Sequence, residues 1–116
     1  MKLFINIALG VLSLIVVTTP ALAEDDKYNG KTVYETTCVA CHGSDGKGAF
    51  AGIPNFTATD GRLAKSDEVL FQSVKFGMQT PGSMMAMPAL GGNPDLSDQD
   101  VQDVIVFLKS TFINKR

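Results

Sequence analysis

The chain opens on one long apolar stretch that nothing downstream repeats. Leu3 to Val17 is apolar at nearly every position, broken only by Asn6, Gly10 and Ser13. Further on, apolar residues recur at helical spacing in three places. The clearest runs from Asp98 to about Phe112, where Val101, Val104, Ile105, Leu108 and Phe112 form one stripe. Ser97 caps it, and Asp100 stands three residues on, in the capping-box position. A second helix is predicted over Asp67 to Phe76. Ser66 is its cap, Asp67 and Glu68 suit the positive end of its dipole, and Gly77 stops it. A third is predicted from about Asn29 to Cys41, with Asn29 as cap and Val33, Thr37, Cys38 and Cys41 at helical spacing. No segment reads as a strand, so the fold class is all-α.

Between the helices lie residues 43–65 and 77–96, runs of 23 and 20 residues. Structureless loops beyond about 12–15 residues are uncommon in compact domains. Composition sharpens the problem. The whole chain is 45% apolar, but 16 of those side chains fall in residues 1–23, which leaves about 39% for the remaining 93 residues. A globular domain carries roughly 45–50%. Three short helices bury too little to hold a domain of this size. A large buried ligand is therefore expected in the middle, and the chain is not expected to fold stably without it.

The first stretch reads as an address. Lys2 gives a positive start, the apolar run is 15 residues long, Pro20 breaks it, and Ala21-Leu22-Ala23 is a small-x-small cleavage site. These are the regions of a secretory signal peptide. The run falls short of the roughly 20 residues of a membrane span. Residues 1–23 are read as a signal peptide cleaved after Ala23, and residues 24–116 as one domain working in the periplasm, where disulfides are permitted. A membrane attachment is expected only if the signal stays uncleaved. Residues 24–27 are polar and expected to fray.

Ninety-three residues exclude a Rossmann enzyme, a TIM barrel or a two-domain catalyst. The chain has one histidine, two cysteines and no tryptophan. A Ser-His-Asp arrangement would have to use that histidine, and a closed zinc site would have to recruit carboxylates. The net charge of −2 becomes −3 without Lys2, which is no footprint for nucleic acid.

Both cysteines and the histidine lie within five consecutive residues, Cys38-Val39-Ala40-Cys41-His42. This is the C-x-x-C-H pattern of covalent haem c attachment. Two thiols three apart near a helix end can add to two vinyl groups on one side of a porphyrin, and the next residue then aims its imidazole at the iron. A thioredoxin-like redox pair would want a preceding strand. A disulfide at this spacing inside a helix would be tight and unusual. A zinc site would need a second Cys/His pair.

At these residues the chain resembles a class I cytochrome c of the small bacterial, monohaem type. The similarity covers residues 29–113. It rests on Gly30-Lys31-x-x-Tyr34, on Cys38-x-x-Cys41-His42-Gly43 followed by Gly46-Lys47-Gly48, on Gly52-x-Pro54-Asn55, on Met87-Pro88, and on Leu96-Ser97-Asp98-x-Asp100. The resemblance implies three main helices and long loops wrapped around one covalent haem. It implies that the first and last helices cross, Gly30 and Tyr34 meeting the apolar stripe of the last. It also implies Cys38 and Cys41 as thioether attachments and His42 as one axial iron ligand.

A second axial ligand must come from elsewhere, and Met78, Met84, Met85 and Met87 all lie in the second long loop. A thioether favours ferrous iron and raises the potential. The resemblance points to Met87, which stands before Pro88; Met85, two residues away, is the alternative. Met78 and Met84 read as adaptable filling. The resemblance gives the Pro54 carbonyl as acceptor for the Nδ1–H of His42, a partner of the kind that fixes a ligating ring. Asn55 and Arg62 are candidate hydrogen-bond donors to a haem propionate. Phe50, Phe56, Phe71 and Phe76 are candidate walls of the haem cavity.

With both axial positions filled by protein, no site is open for oxygen, peroxide or a small-molecule substrate. The expected function is a soluble periplasmic electron carrier, not an enzyme, shuttling electrons between a membrane-bound or periplasmic donor and an acceptor. The alternative is a haem-bearing subunit of a larger periplasmic oxidoreductase. A catalytic haem whose sixth ligand leaves is disfavoured by Met87-Pro88.

Overall fold

A computed structural model describes residues 14–16 and 22–114. The proposed signal peptide falls almost wholly outside the described residues. Helix α1, Leu22–Val33, passes through a π turn, Tyr34–Cys38, into α2, Val39–His42, as one continuous rod. Helix α3 spans Asp67–Phe76, and α4 spans Asp98–Leu108 and ends in a second π turn, Lys109–Ile113. Short 3₁₀ turns at Arg62–Ala64 and Ala89–Gly92 punctuate the two long loops. Among the described residues there is no strand, and Met78 and Met87 form an isolated antiparallel bridge. No helix among the described residues is long and apolar enough to cross a membrane.

The caps of the later helices follow the sequence. The Ser66 hydroxyl accepts from the Val69 amide, and Gly77 ends α3 at φ 77°. At α4 the Ser97 hydroxyl accepts from Asp100 N at 3.1 Å while the Asp100 carboxylate accepts from Ser97 N at 2.9 Å. That reciprocal pair satisfies two donors that the first turn of a helix otherwise leaves open.

The first helix departs from expectation. It begins at Leu22, so residues 24–27 are helical rather than frayed. Asn29 is inside it and caps nothing. Its side-chain amide instead donates to Asp100 Oδ1 at 3.0 Å and to Asp103 Oδ2 at 2.6 Å. The long-range partners on α4 outcompete the local role that an isolated Asn suggests. Asp103 is buried, and Gln99 satisfies its other oxygen at 2.7 Å. Hydrogen bonds from Asn29 and Ser97 hold the Asp100 carboxyl below the ordinary carboxylate range.

These contacts mark where α1 crosses α4. Gly30 sits at the closest point: a Cβ there would lie 2.1 Å from the Asp103 carbonyl oxygen and 2.8 Å from Phe107 Cβ. Only a residue without a side chain lets the two backbones approach this far. Gly30 thus meets α4 at Asp103 and Phe107, and Tyr34 packs on Phe107 and on Phe112, a stripe residue. The whole predicted stripe of α4 is buried, with Phe107 added to it. Val33, Tyr34, Phe56, Leu63 and Leu70 complete the core.

Helix α3 runs antiparallel to α4. Lys75, near its end, pairs with Asp98 at 2.9 Å, and Asp67, at its start, pairs with Lys109 near the end of α4. Exposed pairs of this kind contribute little stability each, so they record the orientation more than they hold it. Burial of Leu70 against the core does the holding.

Replacing Gly30 by Ala forces the crossing apart. A loss of about 1–3 kcal/mol is expected, the usual cost of overpacking. Thermal unfolding of the purified haem protein measures it; an unchanged midpoint would refute the close approach.

Candidate haem site

The site is built from the end of the α1–α2 rod. Cys38, Cys41 and His42 occupy its last turns, and Gly43 stops it at φ 78°. The π turn sets which way they face. Two ordinary helical turns take about 7.2 residues. One wider turn, closed by Val39 N–H on the Tyr34 carbonyl, stretches two turns to roughly eight. His42, eight residues after Tyr34, therefore returns to the same buried face. Tyr34 locks this arrangement by donating its hydroxyl to the Gly43 carbonyl. Burial above all pushes the Tyr34 phenol up to about 12, so it remains a donor.

Cys38 and Cys41 are each half-buried and are not paired with one another in a disulfide. Burial also holds His42 below the ordinary histidine range. The imidazole is then neutral at physiological pH, the form that binds metal. Its ring stacks on Phe56, centroids 4.6 Å apart and planes 17° apart. Phe56 continues to Phe112 at 6.0 Å, and Phe112 to Tyr34 at 5.8 Å. An aromatic column thus joins the imidazole to the crossing of α1 and α4.

His42 Nδ1 is buried with no hydrogen-bond partner. The donation to the Pro54 carbonyl expected from sequence is not formed. The ring contact the structure does show is the stack on Phe56. Pro54, Asn55 and Arg62 are nonetheless brought together, on one open depression of about 610 Å³ that Gly61 and Lys65 also line. His42 is not on its wall. Asn55 spends its side-chain carbonyl on Thr57, accepting from N at 2.9 Å and from Oγ1 at 2.6 Å. Arg62 Nη2 donates to Thr80 Oγ1 at 3.1 Å, tying the two long loops together. Of the four phenylalanines expected as walls, Phe56 is buried and Phe71 packs on the core. Phe50 and Phe76 are 57% and 67% exposed.

The methionines separate cleanly. Met84 is 98% exposed and Met85 53%. Met87 is half-buried, and its backbone pairs with Met78 through bonds of 2.9 and 2.8 Å. After it, Leu90 at φ 55° and Gly91 and Gly92 turn the chain left-handed, the leucine against its intrinsic preference. This turn docks on the π turn: a Cβ on Gly91 would lie 2.9 Å from the Thr37 methyl, and Asn93 Nδ2 donates to Thr37 Oγ1 at 3.3 Å. The buried Asp103 is the residue that sequence reasoning missed; a polar residue facing inward at helical spacing was the available signal.

The donor set fits a haem. Paired thiols stand next to a neutral, buried imidazole whose Nδ1 lacks a partner. Among the described residues no three of His, Cys, Asp and Glu converge as a closed zinc site would require. An all-α chain with this set has the makings of a c-type haem protein.

Comparison with known proteins agrees. The family model for cytochrome c matches residues 28–112. The chain is 34% identical to cytochrome c-555 of Prosthecochloris aestuarii over 79% of its own length and 94% of that protein's. It is 31% identical to cytochrome c6 of Thermosynechococcus vestitus, covering 92% of this chain and 89% of that one. A third relative, the gluconate 2-dehydrogenase cytochrome c subunit of Pantoea cypripedii, is 33% identical over 78% of this chain but only 21% of its own length. The chain belongs to the cytochrome c family, and its cofactor is covalently bound haem c.

The π turn makes a sharp prediction. Thr36 is exposed, and its hydroxyl bonds only to Thr32 and Val33 carbonyls of its own helix. Deleting it removes the extra residue, and an ordinary helix then returns His42, seven residues after Tyr34, to within about 20° of the same face. The deletion should therefore still accumulate haem-bearing protein, as should Thr36→Ala. A deletion variant that accumulates none while Thr36→Ala does would contradict the phase argument.

Proposed function

We propose that the protein is an exported, soluble one-electron carrier, held as a scaffold around one haem by its own residues. Cys38 and Cys41 carry the thioether links, His42 supplies one axial ligand and Met87 the other. Residues 1–23 are the signal peptide, residues 24–116 the mature domain, and the periplasm its compartment. When bound, the haem supplies a single iron that cycles between ferric and ferrous states. His42 holds its side of the iron as a neutral imidazole buried against Phe56. Pro54, Asn55 and Arg62 line the depression where propionates would be met.

The observation that carries this reading is the contrast among the methionines. Met87 is half-buried and fixed by two backbone hydrogen bonds, whereas Met84 and Met85 lie largely in solvent. A thioether delivered from a fixed backbone closes the sixth position. A closed position leaves outer-sphere electron transfer as the chemistry, with no small-molecule substrate. The partners are redox proteins, a membrane-bound or periplasmic donor and an acceptor. The likeness to a cytochrome subunit of gluconate 2-dehydrogenase favours a second reading, in which the domain serves one fixed oxidoreductase.

Absorption spectra of purified oxidised and reduced protein test the ligand assignment. Wild type and Met85→Ala should show the weak red band of ferric iron bound to methionine. Met87→Ala should lose it, with a lowered reduction potential. The reverse pattern would transfer the ligand to Met85. Ready binding of carbon monoxide by the reduced native protein would contradict the carrier.

A further inference from the structure

We infer that Gly77 positions Met87 for the iron and so selects it over Met85, an assignment that rests on Met87 being the sixth ligand. Gly77 ends α3 at φ 77°. A Cβ there would lie 2.5 Å from the Met87 carbonyl oxygen, 2.8 Å from Ala89 N and 3.1 Å from the Pro88 carbonyl carbon. All three are backbone atoms of the Met87–Ala89 segment, so no flexible side chain can yield. The next residue, Met78, then pairs with Met87 through both of its backbone groups. The end of α3 therefore lies flush against the backbone that carries the ligand.

Helix α3 is itself fixed, since Leu70 is in the core. On the far side, Gly91 and Asn93 rest on Thr37, inside the π turn that ends at Cys38. Met87 is thus held between two elements of the scaffold. Met85 has no such support: its backbone contacts are to the Ser83 hydroxyl, two residues away in the same exposed turn. Flush contact at Gly77 is what gives Met87, and not Met85, a fixed position.

A matched control lies in the same loop. Gly82 also has a positive φ, 82°, but a Cβ there would meet nothing within 4 Å. Alanine at either position incurs the conformational strain. Only alanine at position 77 also pushes on Met87.

The test uses haem-loaded wild type, Gly77→Ala, Gly82→Ala and Met87→Ala, compared by the ferric red band, the reduction potential, binding of added imidazole and far-ultraviolet circular dichroism. The inference predicts native circular dichroism for Gly77→Ala, loss of most of its red band, a lowered potential and tighter imidazole binding, with Gly82→Ala like wild type in all four. Equal retention of the band in both glycine variants overturns it, as does equal loss. Should Gly77→Ala fail to fold, Gly77→Asn is read instead, because among side chains with a Cβ asparagine resists a positive φ least. If neither folds while Gly82→Ala does, the contact serves the fold and the inference is wrong. A band that survives Met87→Ala in an otherwise native protein refutes the ligand assignment itself, a result distinct from all of these.

Discussion

The structure depends on how closely α1 can approach α4 at Gly30. A methyl group there would collide with the Asp103 carbonyl. Because the backbones touch, the Asn29 side chain reaches both Asp100 and Asp103, and Tyr34 reaches Phe107 and Phe112. The position of α1 then fixes the π turn, and the π turn fixes the faces of Cys38 and His42. Everything presented to the haem inherits its placement from this crossing.

The two long loops are ordered by the same framework. Gly46 lies on the Phe112 ring with no room for a side chain, and its carbonyl accepts from Phe56 N at 2.7 Å. That brings Phe56 under His42. The second loop is held by Gly77 against α3 and by Gly91 against Thr37. Glycine serves both loops for a steric reason: each loop must lie directly on a backbone or ring that has already been placed. The loops look structureless in sequence because their order comes from contacts, not from periodicity.

Much of this was legible in the chain itself. The α4 stripe, the Ser66 cap and the Ser97–Asp100 box depend on neighbours within one or two turns, and they form as the pattern predicts. C-x-x-C-H named the cofactor because its chemistry is confined to five residues. The failures share another cause. Asn29 looks like a cap because the same amide that can cap a helix can also cross to another one, and only tertiary structure chooses. The π turn is invisible to a search at 3.6 residues per turn, since it appears there as a slip in phase. The buried carboxylate of Asp103 reads as a surface charge until Asn29 and Gln99 are placed around it. The expected bond from His42 to Pro54 came from resemblance and not from any pattern in the chain; among the described residues His42 Nδ1 has no partner.

The central claim is that this small, apolar-poor chain is a scaffold for one haem held through Cys38 and Cys41. Intact mass of the purified protein under denaturing conditions tests it most directly. The polypeptide should remain heavier by the mass of one haem, and Cys38→Ala combined with Cys41→Ala should remove that increment. A wild-type protein that runs at the mass of the bare polypeptide would contradict the account.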